Sequence, residues 1–382
     1  MEGNSEEIKN NSFFSVERVE PMFAGGKRDW SVDVLRCLSC FLVCVIHSTR
    51  LTVAYGHADI GANIWLHNEI YAMIAGAPTV LFVMVSGIFF LSPERNVRIG
   101  RVWRKNILKM ACTYIFWCMI YACYDIYLMD PQPEITVSFF LQRWIIEPTH
   151  LWYIPMIIGL YMICPILRPI TATGDTKLFK YIVAIFMAGL TLWSIYYWPG
   201  FAEEGGYVRT MIDKTPMSIL CQYPFWMLFG WIAYSYRPNK KFRRLIYAVG
   251  LAAVAVGFAI NIHNWIMFED VNYLTATQKF SILSFLKNTA LFYFVITVFR
   301  DHQFTKVGKA FLKRWSDYTL IIYLIHYLLL KIMFYYNFLY DTGVSPWIAV
   351  WVYAIVAYVV GGVVALIFHL VWDPIKKACF KN

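Results

Sequence analysis

In the stretch RDWSVDVLRCLSCFLVCVIHSTR (residues 28–50), Asp33, Arg36 and His47 interrupt or border a run that otherwise reads as a membrane span. Ionisable groups are expensive at that depth and mark paired charges or functional positions. Imidazole exchanges a proton near neutral pH. His47 therefore suits general-base activation of a hydroxyl or nucleophilic catalysis through an acyl-histidine. A guanidinium forks onto phosphate or carboxylate, which is the chemistry open to Arg36. The eleven residues from Arg36 to His47 span about 16 Å of helix with a net rotation of about 20°, so both project from one face. Asp33, three residues before Arg36, is spaced to pair with it.

The elements that must hold these groups are apolar throughout. Of 382 residues, 59% are hydrophobic, 18% aromatic and only 15% charged, against about a quarter charged in soluble chains. The chain therefore reads as an all-α integral membrane protein, because open strands cannot cross hydrocarbon. Runs long enough to span lie near 31–48, 70–91, 107–129, 151–171, 180–198, 217–235, 245–263, 281–299, 317–338 and 347–371, which makes about ten transmembrane helices. Lys287 and Asn288 interrupt the eighth run, leaving open an interfacial helix with a short span there. The domain reading is a polar N-terminal tail (1–30) with no apolar leader core, a membrane domain (31–371) and a short C-terminal tail (372–382).

Charge orients the bundle. With the N-terminus cytoplasmic, 23 of the 34 Lys and Arg residues fall in the inner segments and 5 in the outer ones. That asymmetry places both termini in the cytoplasm. It also accounts for the net charge of +10 through short clusters between spans, so nucleic acid is not an expected partner. The nine cysteines lie mostly within apolar runs and form no ligand cluster with histidine, so they read as small core residues and no metal site is expected. The connecting loops are too short to fold a soluble enzymatic domain.

The first span, with Asp, then Arg three residues on, then ten residues and His, resembles acyltransferase family 3, membrane-embedded bacterial enzymes that O-acylate surface glycans. The likeness continues in GAPTVLFVMVSGIFFL (76–91), in the basic loop PERNVRIGRVWRK (93–105), in HLWYIPMIIGLYMICPILRP (150–169) and in SDYTLIIYLIHYLLL (316–330). It covers nearly all the spans in order. Thr113 stands before Tyr114 where many relatives carry proline. The resemblance implies that Arg36 and His47 are essential and that His47 is the catalytic residue.

The implied reaction moves an acyl group, acetyl by expectation, from cytoplasmic acyl-CoA to a hydroxyl of a surface or exported glycan, at the inner or cytoplasmic membrane. No permanently bound cofactor is expected; acyl-CoA is the donor substrate. Arg95, Arg98, Arg101 and Arg104 lie on the cytoplasmic side and suit the donor's phosphates, although a basic loop of this kind also serves as an anchor on anionic lipid. Asp33 lies too far along the helix to orient His47, so the partner of His47 comes from another span. His326, at mid-depth of the ninth, is the candidate, with Tyr323 on its face. His150, Trp152 and Glu147 lie at the outer end of the fourth span, where an acceptor sugar arrives. Ionisable intramembrane groups also suit a glycan transporter or flippase, which would move its cargo without consuming a thioester.

Overall fold

The computed structural model describes residues 15–19, 28–54, 64–76, 78–95, 97–129, 136–145, 149–196, 214, 217–268, 280–339 and 342–379. Glu147 lies outside them, as do most of the N-terminal tail and the last three residues. Nine helices among the described residues are long and apolar enough to cross a membrane. Helix α1 (Trp30–Ala54) is followed by α2 (Ile64–Ala75) and α3 (Pro78–Phe90), which share one crossing. Helix α4 (Ile99–Tyr127) contains a π-helical stretch at Val102–Ile107 and enters another at Asp125. Then come α5 (Val137–Ile145), α6 (Tyr153–Ala172) behind a 3-10 turn at Thr149–Trp152, and α7 (Thr176–Tyr196). The remaining helices are α8 (Met217–Leu220), α9 (Tyr223–Ser235), α10 (Lys240–Phe268), α11 (Ile282–Arg300), α12 (Lys306–Tyr335) and α13 (Pro346–Cys379). The expected all-α membrane bundle is what forms. Strands β1 (Val16–Arg18) and β2 (Tyr236–Pro238) pair antiparallel at one end.

The sixth apolar run departs from expectation. Residues 217–235 form two pieces, α8 and α9, broken at Cys221 and Gln222. Pro224 sits in the first turn of α9, where it has no N–H to return to a preceding turn and so starts a new helix. From Trp226 to Ser235 every residue of α9 is buried, so this segment is core, whereas the lipid-facing spans bury one stripe. It lies alongside α3 with Gly87 and Gly230 facing across. A Cβ at Gly87 would stand 1.9 Å from the Met227 carbonyl oxygen, and one at Gly230 would stand 2.3 Å from Met84 Cα. Small residues of this kind let membrane helices approach backbone to backbone.

The eighth run resolves as a single helix, α11, because its polar residues have structural partners. Lys287 Nζ donates to the carbonyls of Met73 (3.1 Å) and Gly76 (3.0 Å), closing the end of α2. Asn288 donates to Ser284 O one turn back. At the end of α3, Arg168 Nη1 donates to Phe90 O (2.8 Å) and Ser92 O (3.0 Å), and its Nη2 to Arg95 O (2.7 Å). That one guanidinium satisfies carbonyls that a helix end leaves open. Helix α1 runs through the middle, against α2, α3, α11, α12 and α13.

Gly230→Ala is expected to lower the thermal unfolding midpoint of the detergent-solubilised protein, through a strain of about 1–3 kcal/mol. Gly159→Ala, where an added Cβ meets nothing within 4 Å, leaves it unchanged or raises it. An unaltered midpoint for Gly230→Ala contradicts the close packing of α3 on α9.

Candidate active site

Helices α1 and α12 meet at two levels. At the first, Arg36 Nη2 lies 3.5 Å from Thr319 Oγ1, and Cys40 Sγ lies the same distance from Thr319 O. About two turns beyond Cys40 and Thr319, the His47 ring stands 5.2 Å from that of His326 and 5.2 Å from that of Tyr327, centroid to centroid. The common face expected for Arg36 and His47 is thus the face turned to α12, and His326 is brought beside His47 as expected.

Residues from α4 and the entrance to α6 complete the cluster. The His150 ring stacks on Tyr327 at 4.2 Å and meets Tyr121 edge to face at 4.2 Å. Tyr323 Oη donates to His150 O (2.7 Å), pinning the 3-10 turn to α12. The Tyr323 carbonyl faces His326 Nδ1 at 2.6 Å. A carbonyl only accepts, so Nδ1 carries the proton and the Nε2 of His326 is left with its lone pair. That Nε2 is buried without a hydrogen-bond partner, as is the Nε2 of His150. His326 is fully buried whereas His47 keeps partial access. His47 is the more exposed imidazole of the pair.

Tyr121 shapes this part of α12. Its hydroxyl donates to Leu324 O (2.9 Å) and accepts from Leu328 N (3.1 Å). Those two groups pair with each other in a regular helix, so the phenol is inserted into the ladder, a recognised cause of helix bending. The insertion flanks His326 and Tyr327. One turn beyond, Lys331 Nζ binds Asp125 Oδ1 at 2.7 Å and lies over the Tyr124 and Tyr327 rings. Tyr121, Tyr327 and the Lys331–Asp125 pair were not among the residues expected to serve the site. The sequence signal was two charged residues inside apolar runs, which partner only once α4 and α12 pack.

Asp33 does not pair with Arg36. Its carboxylate takes Arg28 Nε at 2.6 Å and Nη2 at 2.9 Å, and accepts from Ser316 Oγ at 2.6 Å. Arg28 precedes the helix and is free to fold over its N-terminus, where an acidic group is also favoured by the helix dipole. Asp33 therefore docks α1 on α12 and leaves Arg36 without a carboxylate partner among the described residues.

The remaining expected residues are spread more widely. Arg95 lies over the Phe89 ring at 5.3 Å, and Arg98, Arg101 and Arg104 stand exposed along the loop and the start of α4. Trp152 packs by Tyr153 and Tyr223, on the other side of the α6 entrance from the stacked His150.

The sequence model of a family described as an acyltransferase domain matches residues 29–367. No curated protein and no solved structure matches the chain. The matched segment begins just before Asp33 and contains Arg36, His47, His150 and His326 together with nearly every crossing helix. The chain belongs to acyltransferase family 3 and is a multi-pass membrane acyltransferase.

Proposed function

We propose that the protein transfers an acyl group, acetyl in the simplest case, from a cytoplasmic acyl-CoA to a hydroxyl of a surface or exported glycan, in the cytoplasmic membrane. The observation that carries this reading is the His47–His326 pair, which lies along α1 from an arginine with no carboxylate partner among the described residues. Arg36 is half-buried at the level of Thr319. A guanidinium in that position has donors to spare for an anionic or carbonyl oxygen. The exposed Arg95, Arg98, Arg101 and Arg104 supply further donors for the phosphates of CoA, whose flexible arm then carries the thioester toward His47.

At His47 the acceptor hydroxyl loses its proton to the imidazole as its oxygen attacks the thioester carbonyl. The new C–O bond forms, the C–S bond breaks, and the proton passes from the imidazole to the departing thiolate, releasing CoA as the thiol. General-base assistance of this type contributes about 10²–10⁴-fold. His326, its tautomer set by the Tyr323 carbonyl, offers Nε2 as an acceptor that orients His47. An aromatic wall of Tyr121, Tyr327 and the stacked His150 surrounds the pair and excludes water, which would otherwise hydrolyse the thioester. His150 and Trp152 mark the acceptor's approach, each from its own side of the α6 entrance.

Purified protein in nanodiscs, given radiolabelled acetyl-CoA and envelope glycan, is expected to release CoA thiol and label the glycan. His47→Ala lowers the rate at least about 100-fold with an unchanged thermal midpoint, and full turnover by that variant contradicts the assignment. Arg36→Ala raises the KM for acetyl-CoA about tenfold or more, the loss of a charge-assisted bond of about 1.5–3 kcal/mol, with a smaller fall in kcat. An unchanged donor KM removes Arg36 from the donor site.

A further inference from the structure

One sizeable cavity lies away from the histidines. It has a volume of about 620 Å³ and lies between α7, α9, α10 and α11, with Val16 of β1 and Tyr236 of β2 at one end. None of its lining residues belongs to the His47 cluster. The walls are apolar, with Phe179, Val183, Phe229 and Phe285 prominent. Its volume is that of a site for a small molecule rather than a packing defect. Water gains little in such a space, because apolar cavities stay dry.

Three observations bear on what fills it. It opens between helices that cross the membrane, where the apolar material at hand is lipid chain. The end lined by Thr176, Lys180 and Phe242 is also the end that carries Lys177, Lys240, Lys241 and Arg244, all exposed. The acidic residue among them, Asp175, accepts from the Lys177 backbone at the start of α7. Finally, the Thr289 hydroxyl in the wall is buried and has no hydrogen-bond partner, an open donor that an ester oxygen would satisfy.

We propose that this cavity holds one acyl chain of an anionic phospholipid drawn from the leaflet on the lysine- and arginine-rich side, with the phosphate held at Lys180. The site is separate from acyl transfer and does not depend on the reaction assigned to His47. Juxtamembrane basic residues attract anionic head groups, and the apolar walls take the chain in place of bilayer hydrocarbon.

The test uses the full chain in nanodiscs containing phosphatidylglycerol or phosphatidylcholine with a photoreactive diazirine on one acyl chain, and reads adduct positions by mass spectrometry. Phosphatidylglycerol is expected to label Phe229, Phe285 and Thr289, which are buried and reachable only from within the cavity. Ala184→Phe, which narrows the cavity from its wall, removes that label. Lys180→Glu, on the exposed rim, reduces it about fivefold, and the thermal midpoint of each variant reports that the fold is kept. Labelling confined to lipid-facing residues such as Tyr181 and Leu251 overturns the proposal. So does equal labelling of the buried residues by phosphatidylcholine.

Discussion

The docking of α1 on α12 is the constraint on which the site depends. Asp33 fastens it at one end, through Ser316 on α12 and through Arg28, which also reaches Asp317 at 3.1 Å. Along the interface α1 presents Cys40 and Cys44, small side chains that are both buried and pack with Tyr318 and Ile322. Small side chains are what allow two membrane helices to approach when lipid tails compete for every apolar contact. With the helices held this closely, the seven-residue interval from Cys40 to His47 on α1 is matched by that from Thr319 to His326 on α12. The spacing of one helix thereby fixes which residue of the other stands beside His47.

The polar groups of the interior divide into two kinds. Lys287 and Arg168 are spent on carbonyls at helix ends, which is where lipid-buried backbone most needs them. The His47 cluster is different: buried Nε2 atoms of His150 and His326 are left without partners, although the surrounding hydroxyls of Tyr121 and Tyr323 are fully engaged with backbone. Unsatisfied polar atoms are costly in the interior of any protein. Two such nitrogens belong to the cluster around His47, where the tyrosines hold the geometry.

Much of this was legible in the chain itself. Hydropathy marked every crossing segment, because the physics that makes lipid-facing helices apolar acts on each run separately. The Arg36–His47 face followed from helical rotation alone, and the mid-depth of His326 from its place in its run. What depended on several helices at once was not legible. Asp33 is three residues from Arg36 and five from Arg28, and only the fold of the chain before α1 decides between them. Tyr121 is one of 26 tyrosines until its hydroxyl is seen to enter the ladder of α12. The break at Cys221 and Gln222 lies within unbroken hydrophobicity, and the Gly87–Gly230 contact joins residues far apart in the chain.

In the proposed reaction, acyl transfer proceeds from the basic side of the bundle through the His47–His326 pair. The most direct measurement places the protein in sealed proteoliposomes of known orientation and supplies acetyl-CoA to one face at a time, with glycan on the opposite face. Thioester cleavage and glycan labelling are expected only when acetyl-CoA meets the lysine- and arginine-rich face, with CoA thiol released on that same face. Equal turnover from either face, or glycan crossing the membrane with no thioester consumed, would contradict the proposed reaction.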